Sequence, residues 1–172
     1  MVAQLQDRQD QLIVLEKDLI KKIQDAVAAA GLTGCVHGVF SLDDLENKTE
    51  DSLQGGIAFG VAYQGIKPVT DRAPQLNPPQ GNAVQMADYM FVVLIAAPVD
   101  EFCSQRLTAS TLLTILRQGI LGRAVVEDGL TGRNSTQRCW NFVQEKPELS
   151  ESTETMLYYT QVWRLVLPMK GN

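Results

Sequence analysis

Histidine and cysteine are scarce in this sequence of 172 residues: there is one histidine, His37, and there are three cysteines, Cys35, Cys103 and Cys139. A single imidazole excludes any mechanism that needs two, along with zinc sites built from several histidines. Three widely spaced cysteines do not make a disulfide framework, so the thiols are expected to be reduced and packed as small hydrophobes. Long apolar runs are missing too. The longest, at 91–99, is too short for a membrane helix, and residues 1–11 are too polar for a secretory signal, so the expectation is synthesis in the cytoplasm with no membrane partner. Positive charge is in deficit. The net charge of −5 repels phosphate at long range, and sequence-independent nucleic-acid binding would need a local basic patch. No GxxxxGK[ST], no GxGxxG opening a helix and no GxSxG elbow occurs, which argues against nucleotide chemistry and a serine hydrolase.

What is present is the balance of a globular chain, 45% hydrophobic and 20% charged, at a length suited to one domain spanning 1–172. Residues 1–11 carry no apolar stripe and read as a loose arm or a frayed extension of the next element. Leu12, Leu15, Leu19, Ile23, Ala26, Val27 and Ala30 then recur at three- and four-residue spacing. That spacing predicts an amphipathic helix ended by Gly31, with Glu16, Lys17, Lys21 and Lys22 off the stripe. Cys35 to Phe40 predicts a strand, and Ser41-Leu42-Asp43-Asp44 the start of a short helical turn. Ile57 to Tyr63 predicts a second strand, in which Gly56 and Gly60, bracketing Ile57-Ala58-Phe59, permit a bulge or a close backbone approach in preference to binding nucleotide.

Pro68, Pro74, Pro78 and Pro79 make 67–83 a proline-rich loop that cannot continue a central strand. Val84 to Ala97 turns apolar on both faces, the mark of a central strand covered twice. Asp100 is placed to cap a second helix with Leu107, Leu112, Leu113, Ile115, Leu116 and Ile120 as its packing stripe, limited by Gly119 and Gly122. Two β segments follow, at 136–144 and 156–167, joined by a link short enough for antiparallel pairing. The predicted fold is therefore α+β: a mostly antiparallel sheet with two main helices packed on one face.

Candidate chemistry is thin. Cys35 and His37, two apart on a strand, share a face and suggest at most a thiol–imidazole pair; a buried cysteine beside a strand-end histidine explains them more simply. Asp43, Asp44, Glu46, Glu50 and Asp51 form an acidic cluster without the spacing or turn glycine of a calcium loop. Trp140, Phe142, Tyr158, Tyr159 and Trp163 interleave with Arg138 and Arg164 near the C-terminus, a pattern of core packing before it is one of nucleic-acid binding. Arg117, Arg123, Arg133 and Arg138, opposed only by Glu127 and Asp128, form the one candidate basic patch.

The order of these elements, from the amphipathic helix at Leu12 through the strand Met86–Ala96 and the helix Leu112–Gly122 to the strand Leu157–Leu165, resembles the tail-completion proteins of contractile, Mu-like phages, relatives of tail terminators. The likeness spans residues 12–169. It implies a structural protein without catalytic, cofactor-binding or metal-binding residues. Such proteins form a ring, commonly six-fold, that caps the head-proximal end of the tail tube, stops its growth and joins it to the neck. The implied partners are other copies of the chain, the tube and sheath proteins, neck or connector proteins, and genomic DNA passing through the lumen. The implied location is the virion tail and neck. Arg117, Arg123, Arg133 and Arg138, with Asn77, Pro78 and Pro79 of the proline-rich loop, are the candidate partner and lumen contacts. Two other readings stand beside it: a head-completion or connector adaptor, and a small-molecule-binding α+β domain with its pocket near 55–65.

Overall fold

In the computed structural model, residues 2–41, 43–45, 57–69, 84–98, 109–125, 139–147 and 156–170 are described. They build α1 (Val2–Ala29), β1 (Gly34–Gly38), β2 (Ile57–Pro68), β3 (Val84–Pro98), α2 (Ala109–Ile120), β4 (Asn141–Pro147) and β5 (Met156–Lys170). The strands form one sheet in the order β1-β2-β3-β5-β4. β1 runs parallel to β2, and every other pairing is antiparallel. The fold is α+β, with the element order that the apolar periodicities predict.

Residues 2–10 continue the first helix rather than forming an arm. Its other end shows why it stops. Gly31 takes φ 69°, its N–H donates to the Ala28 carbonyl at 3.0 Å, and the Leu32 N–H donates to the Val27 carbonyl at 3.1 Å. This closing turn needs a left-handed residue, which glycine supplies without a Cβ penalty, and it brings Leu32 and Val27 to the same core.

The core lies between the two helices and one face of the sheet. Leu15, Leu19, Ile23 and Val27 of α1 and Leu112, Leu113, Leu116 and Ile120 of α2 meet Phe59, Phe91, Ile95, Trp163 and Leu165 there. The period of two sends alternate residues of β3 and β5 to the opposite face, where Leu94, Ala96 and Tyr158 pack under Val39 and Leu45. Both faces of the centre are therefore covered. On the second face the cover comes from the chain following β1. It reaches the sheet only because position 60 is glycine: a Cβ there would stand 2.6 Å from Val39 Cγ2 and 3.2 Å from Leu45 Cδ1.

Two expectations are corrected. Pro68 is the last residue of β2, opposite Ala87, instead of opening a loop. β1 ends opposite Val61, so β2 beyond that point is a sheet edge, where a residue without an N–H costs no ladder bond on the open side. The rest of 67–83 falls mostly outside the described residues, as does Asp100. Gly119, in turn, does not limit α2. It lies inside the helix at the crossing with α1, where an added Cβ would collide with the Ala26 Cβ. Gly122, at φ 71°, is the residue that ends it. Replacing Gly119 by valine is expected to cost about 1–3 kcal/mol through overpacking, read by urea denaturation, although valine improves on glycine's intrinsic helix propensity. A stabilised variant would mean that the helices do not meet there.

Candidate functional site

Of the arginine stretch, Arg117 and Arg123 lie among the described residues. Arg117, on α2, turns onto the sheet: its Nη1 lies 3.7 Å from Glu145 Oε1, its Nη2 donates to Thr114 Oγ1 at 3.0 Å, and its guanidinium sits 5.9 Å from the Phe142 ring centroid. Glu145 Oε2 in turn accepts from Gln161 Nε2 at 3.1 Å, and that amide also donates to the Leu113 carbonyl at 3.1 Å. Arg117 thus ties α2 to β4 and β5. A half-exposed pair of this length adds little, so Arg117→Ala is expected to lower stability by about 1 kcal/mol or less in denaturant titration, with assembly unchanged. Arg123 is exposed at the turn after α2. Arg133, Arg138, Asn77, Pro78 and Pro79 lie outside the described residues.

Cys35 packs against the second cluster, on the face of β1 opposite Val36, and His37, two residues on, shares that face, as their spacing predicts. Burial pushes the Cys35 thiol up from its ordinary range, against a smaller opposing contribution from its own backbone hydrogen bond. An activated nucleophile needs the opposite shift. His37 Nε2 is buried without a hydrogen-bond partner. Among the described residues, no group of three or more histidine, cysteine or carboxylate side chains is placed to hold a metal ion. The acidic cluster begins as a helix cap: Ser41 Oγ accepts from the Asp44 N–H at 3.2 Å, and Asp44 Oδ2 accepts from the Phe40 N–H at 3.0 Å. Glu46, Glu50 and Asp51 fall outside the described residues.

A buried polar cluster was missed by the sequence reading. Lys22 Nζ donates to both carboxylate oxygens of Asp18, at 2.6 and 2.7 Å, and Trp140 Nε1 donates to Asp18 Oδ2 at 2.8 Å. Lys22 is therefore in the interior and not on the solvent side of α1. A signal existed: Asp18 and Lys22 stand three and seven residues after Leu15, within the apolar stripe, at the i,i+4 spacing that lets their side chains meet. The cluster fastens α1 to the chain just before β4. There the Gly122 N–H donates to the Trp140 carbonyl and the Trp140 N–H to the Arg123 carbonyl, so the end of α2 is bound in as well.

Around this interior, several large apolar side chains remain on the surface: Ile13 of α1, Phe40 after β1, Tyr63 and Ile66 of the open stretch of β2, Leu121 after α2, and Val143 of β4. Tyr63 leans on Phe91, with ring centroids 5.4 Å apart. Phe40 is 96% exposed, nearly the whole side chain. Scattered single residues of this kind are ordinary, but Phe40 follows the edge strand β1 and Val143 lies on the edge strand β4.

No protein-family model matches the sequence, and no curated protein matches it. Among solved structures, the chain is similar to one described as "Virion of native gene transfer agent (GTA) particle", with a TM-score of 0.49 and 14% identity, over 90% of this chain and 95% of that one. At that distance, residue roles do not transfer.

Proposed function

We propose that this chain is a structural protein of a phage-like particle and acts by assembly, as a tail terminator: copies form a ring that caps the head-proximal end of the tail tube and joins it to the neck. The observation that carries the reading is the contrast between interior and margin. Trp140, Trp163, Phe59 and Phe91 are wholly buried between the helices and the sheet, yet Phe40 after β1, Leu121 after α2 and Val143 on β4 are left exposed. Apolar area left in water is unfavourable by about 25 cal/mol per Å², and burial against another protein recovers it. The element order agrees with the family resemblance, and the raised Cys35 pKa speaks for a structural thiol instead of a catalytic one.

A ring requires a contact between two different patches, repeated by a rotation that closes. Light scattering of the purified protein over a range of concentrations tests this. The expected result is one particle mass, a fixed multiple of the 19.0 kDa chain, that stops growing as concentration rises. A mass that stays at one chain throughout, or that climbs without limit, contradicts a closed ring.

A further inference from the structure

We infer that the ring contact joins opposite edges of the sheet, Phe40 and Asp43 of one copy seating against the Leu121, Arg123 and Val143 margin of the next; the inference rests on the assembly reading above and specifies its interface. β1 and β4 are the two outermost strands of the sheet. With strands about 4.8 Å apart, four spacings separate the edges by roughly 19 Å, so one copy cannot bring its own two patches together.

Each edge presents apolar side chains beside charge, acidic after β1 and basic at the β4 margin, where the carboxylate of Glu145 is taken up by Arg117. After β1, Phe40 stands 96% exposed, held by the hydrogen bond from its N–H to Asp44, with Asp43 exposed beside it. No basic residue lies between 38 and 47. At the other edge, Leu121 is 54% exposed and Val143 42%, and Arg123 and Lys146 are exposed in the same margin. The chain at 122–124 is held there by the bridge from Ala124 to Cys139, at the start of the edge strand. Val143 falls between the paired residues Phe142 and Gln144, outside the ladder, and a bulge at a sheet edge re-aims its side chain outward. The two patches are thus complementary in charge and both apolar at their centres. Pairing like edges would set Asp43 against Asp43 or Arg123 against Arg123, which costs energy, whereas pairing unlike edges sets aspartate against arginine. A contact between unlike patches is also the kind that closes into a ring.

Sedimentation equilibrium of the full chain, alone and as variants, tests the contact. Phe40→Asp and Val143→Asp alter exposed side chains, and each is expected to keep the wild-type melting curve while weakening self-association by about thirtyfold or more, the loss typical of a central interface residue. Mixed one to one, they should form a dimer and nothing larger, because each retains one intact patch. Asp43→Lys and Arg123→Glu are each expected to weaken association about threefold to fivefold, and the two together in one chain to restore it. A wild type that assembles while both apolar variants assemble equally well overturns this contact and leaves the ring reading standing. A mixture that grows past the dimer, or a charge swap without rescue, also overturns it. A wild type that stays monomeric at every concentration, with or without tail tubes, overturns the contact and the ring together.

Discussion

Trp140→Ala is expected to lower the stability of the folded chain by about 3–5 kcal/mol, the range for deleting a fully buried large aromatic side chain. Trp140 is wholly buried, and its ring stands edge-on to Phe91 with centroids 5.6 Å apart. Its removal leaves a cavity between α1, β3 and the start of β4, and it takes from Asp18 the indole donor at 2.8 Å. The two losses separate. Trp140→Phe keeps most of the packing and forfeits the hydrogen bond to a charged acceptor, which is worth about 1.5–3 kcal/mol. Urea titration followed by circular dichroism reads both variants. A loss under about 1 kcal/mol for the alanine variant would mean that the indole is not holding α1 to the sheet.

Asp18→Ala is expected to cost about 3–5 kcal/mol as well, for a different reason. Lys22 has a side chain only 10% exposed, with both of its hydrogen bonds made to the Asp18 carboxylate. Without the aspartate, a buried ammonium is stranded. Replacing both partners, by Asp18→Leu with Lys22→Met, removes the charges together and should recover most of the loss, since a buried ion pair exchanged for apolar residues of similar volume is often near neutral. The Trp140 indole still loses its acceptor in that pair of changes, so recovery should be incomplete by about 1–3 kcal/mol. The costs of Trp140→Ala and Asp18→Ala should also fall short of additivity when combined, because the residues share one hydrogen bond. Equal stability of Asp18→Ala and the wild type would contradict the buried cluster.

The same residues show where sequence reading succeeds and where it stops. Local periodicity suffices for the elements: the two-residue alternation in β5 sends Trp163, Leu165 and Leu167 to one face and Tyr158 and Val162 to the other, as the structure has them. The doubly apolar half of β3 is in the middle of the sheet, between β2 and β5. Gly60 is where the chain after β1 comes closest. Long-range arrangement is less accessible. The parallel pairing of β1 with β2 depends on a connection between 38 and 57 whose local pattern does not specify direction. Gly119 reads as a terminator by habit of its residue type, and only the crossing with Ala26 reveals why a side chain is excluded there.

Polar residues were the harder case. Lysine is rarely buried without a partner, so Lys22 reads as a solvent-side residue, and its partner set becomes visible only when Trp140, 122 residues from Asp18 in sequence, is brought beside the helix. Arg117 groups with its neighbours in sequence, but its ion pair is with Glu145, on another element. Exposed apolar residues are likewise unreadable in advance: nothing in the local pattern distinguishes Phe40 and Val143, left outside, from Phe59 and Val61, buried in the core. That distinction, between apolar residues used for folding and those kept for contact, underlies the assembly reading.

Electron microscopy of the purified protein mixed with phage tail tubes tests that reading most directly. A terminator is expected to appear as a ring on one end of each tube, with tube length held constant while undecorated tubes continue to grow. Bare tube ends and unrestrained growth in the presence of excess protein would contradict it.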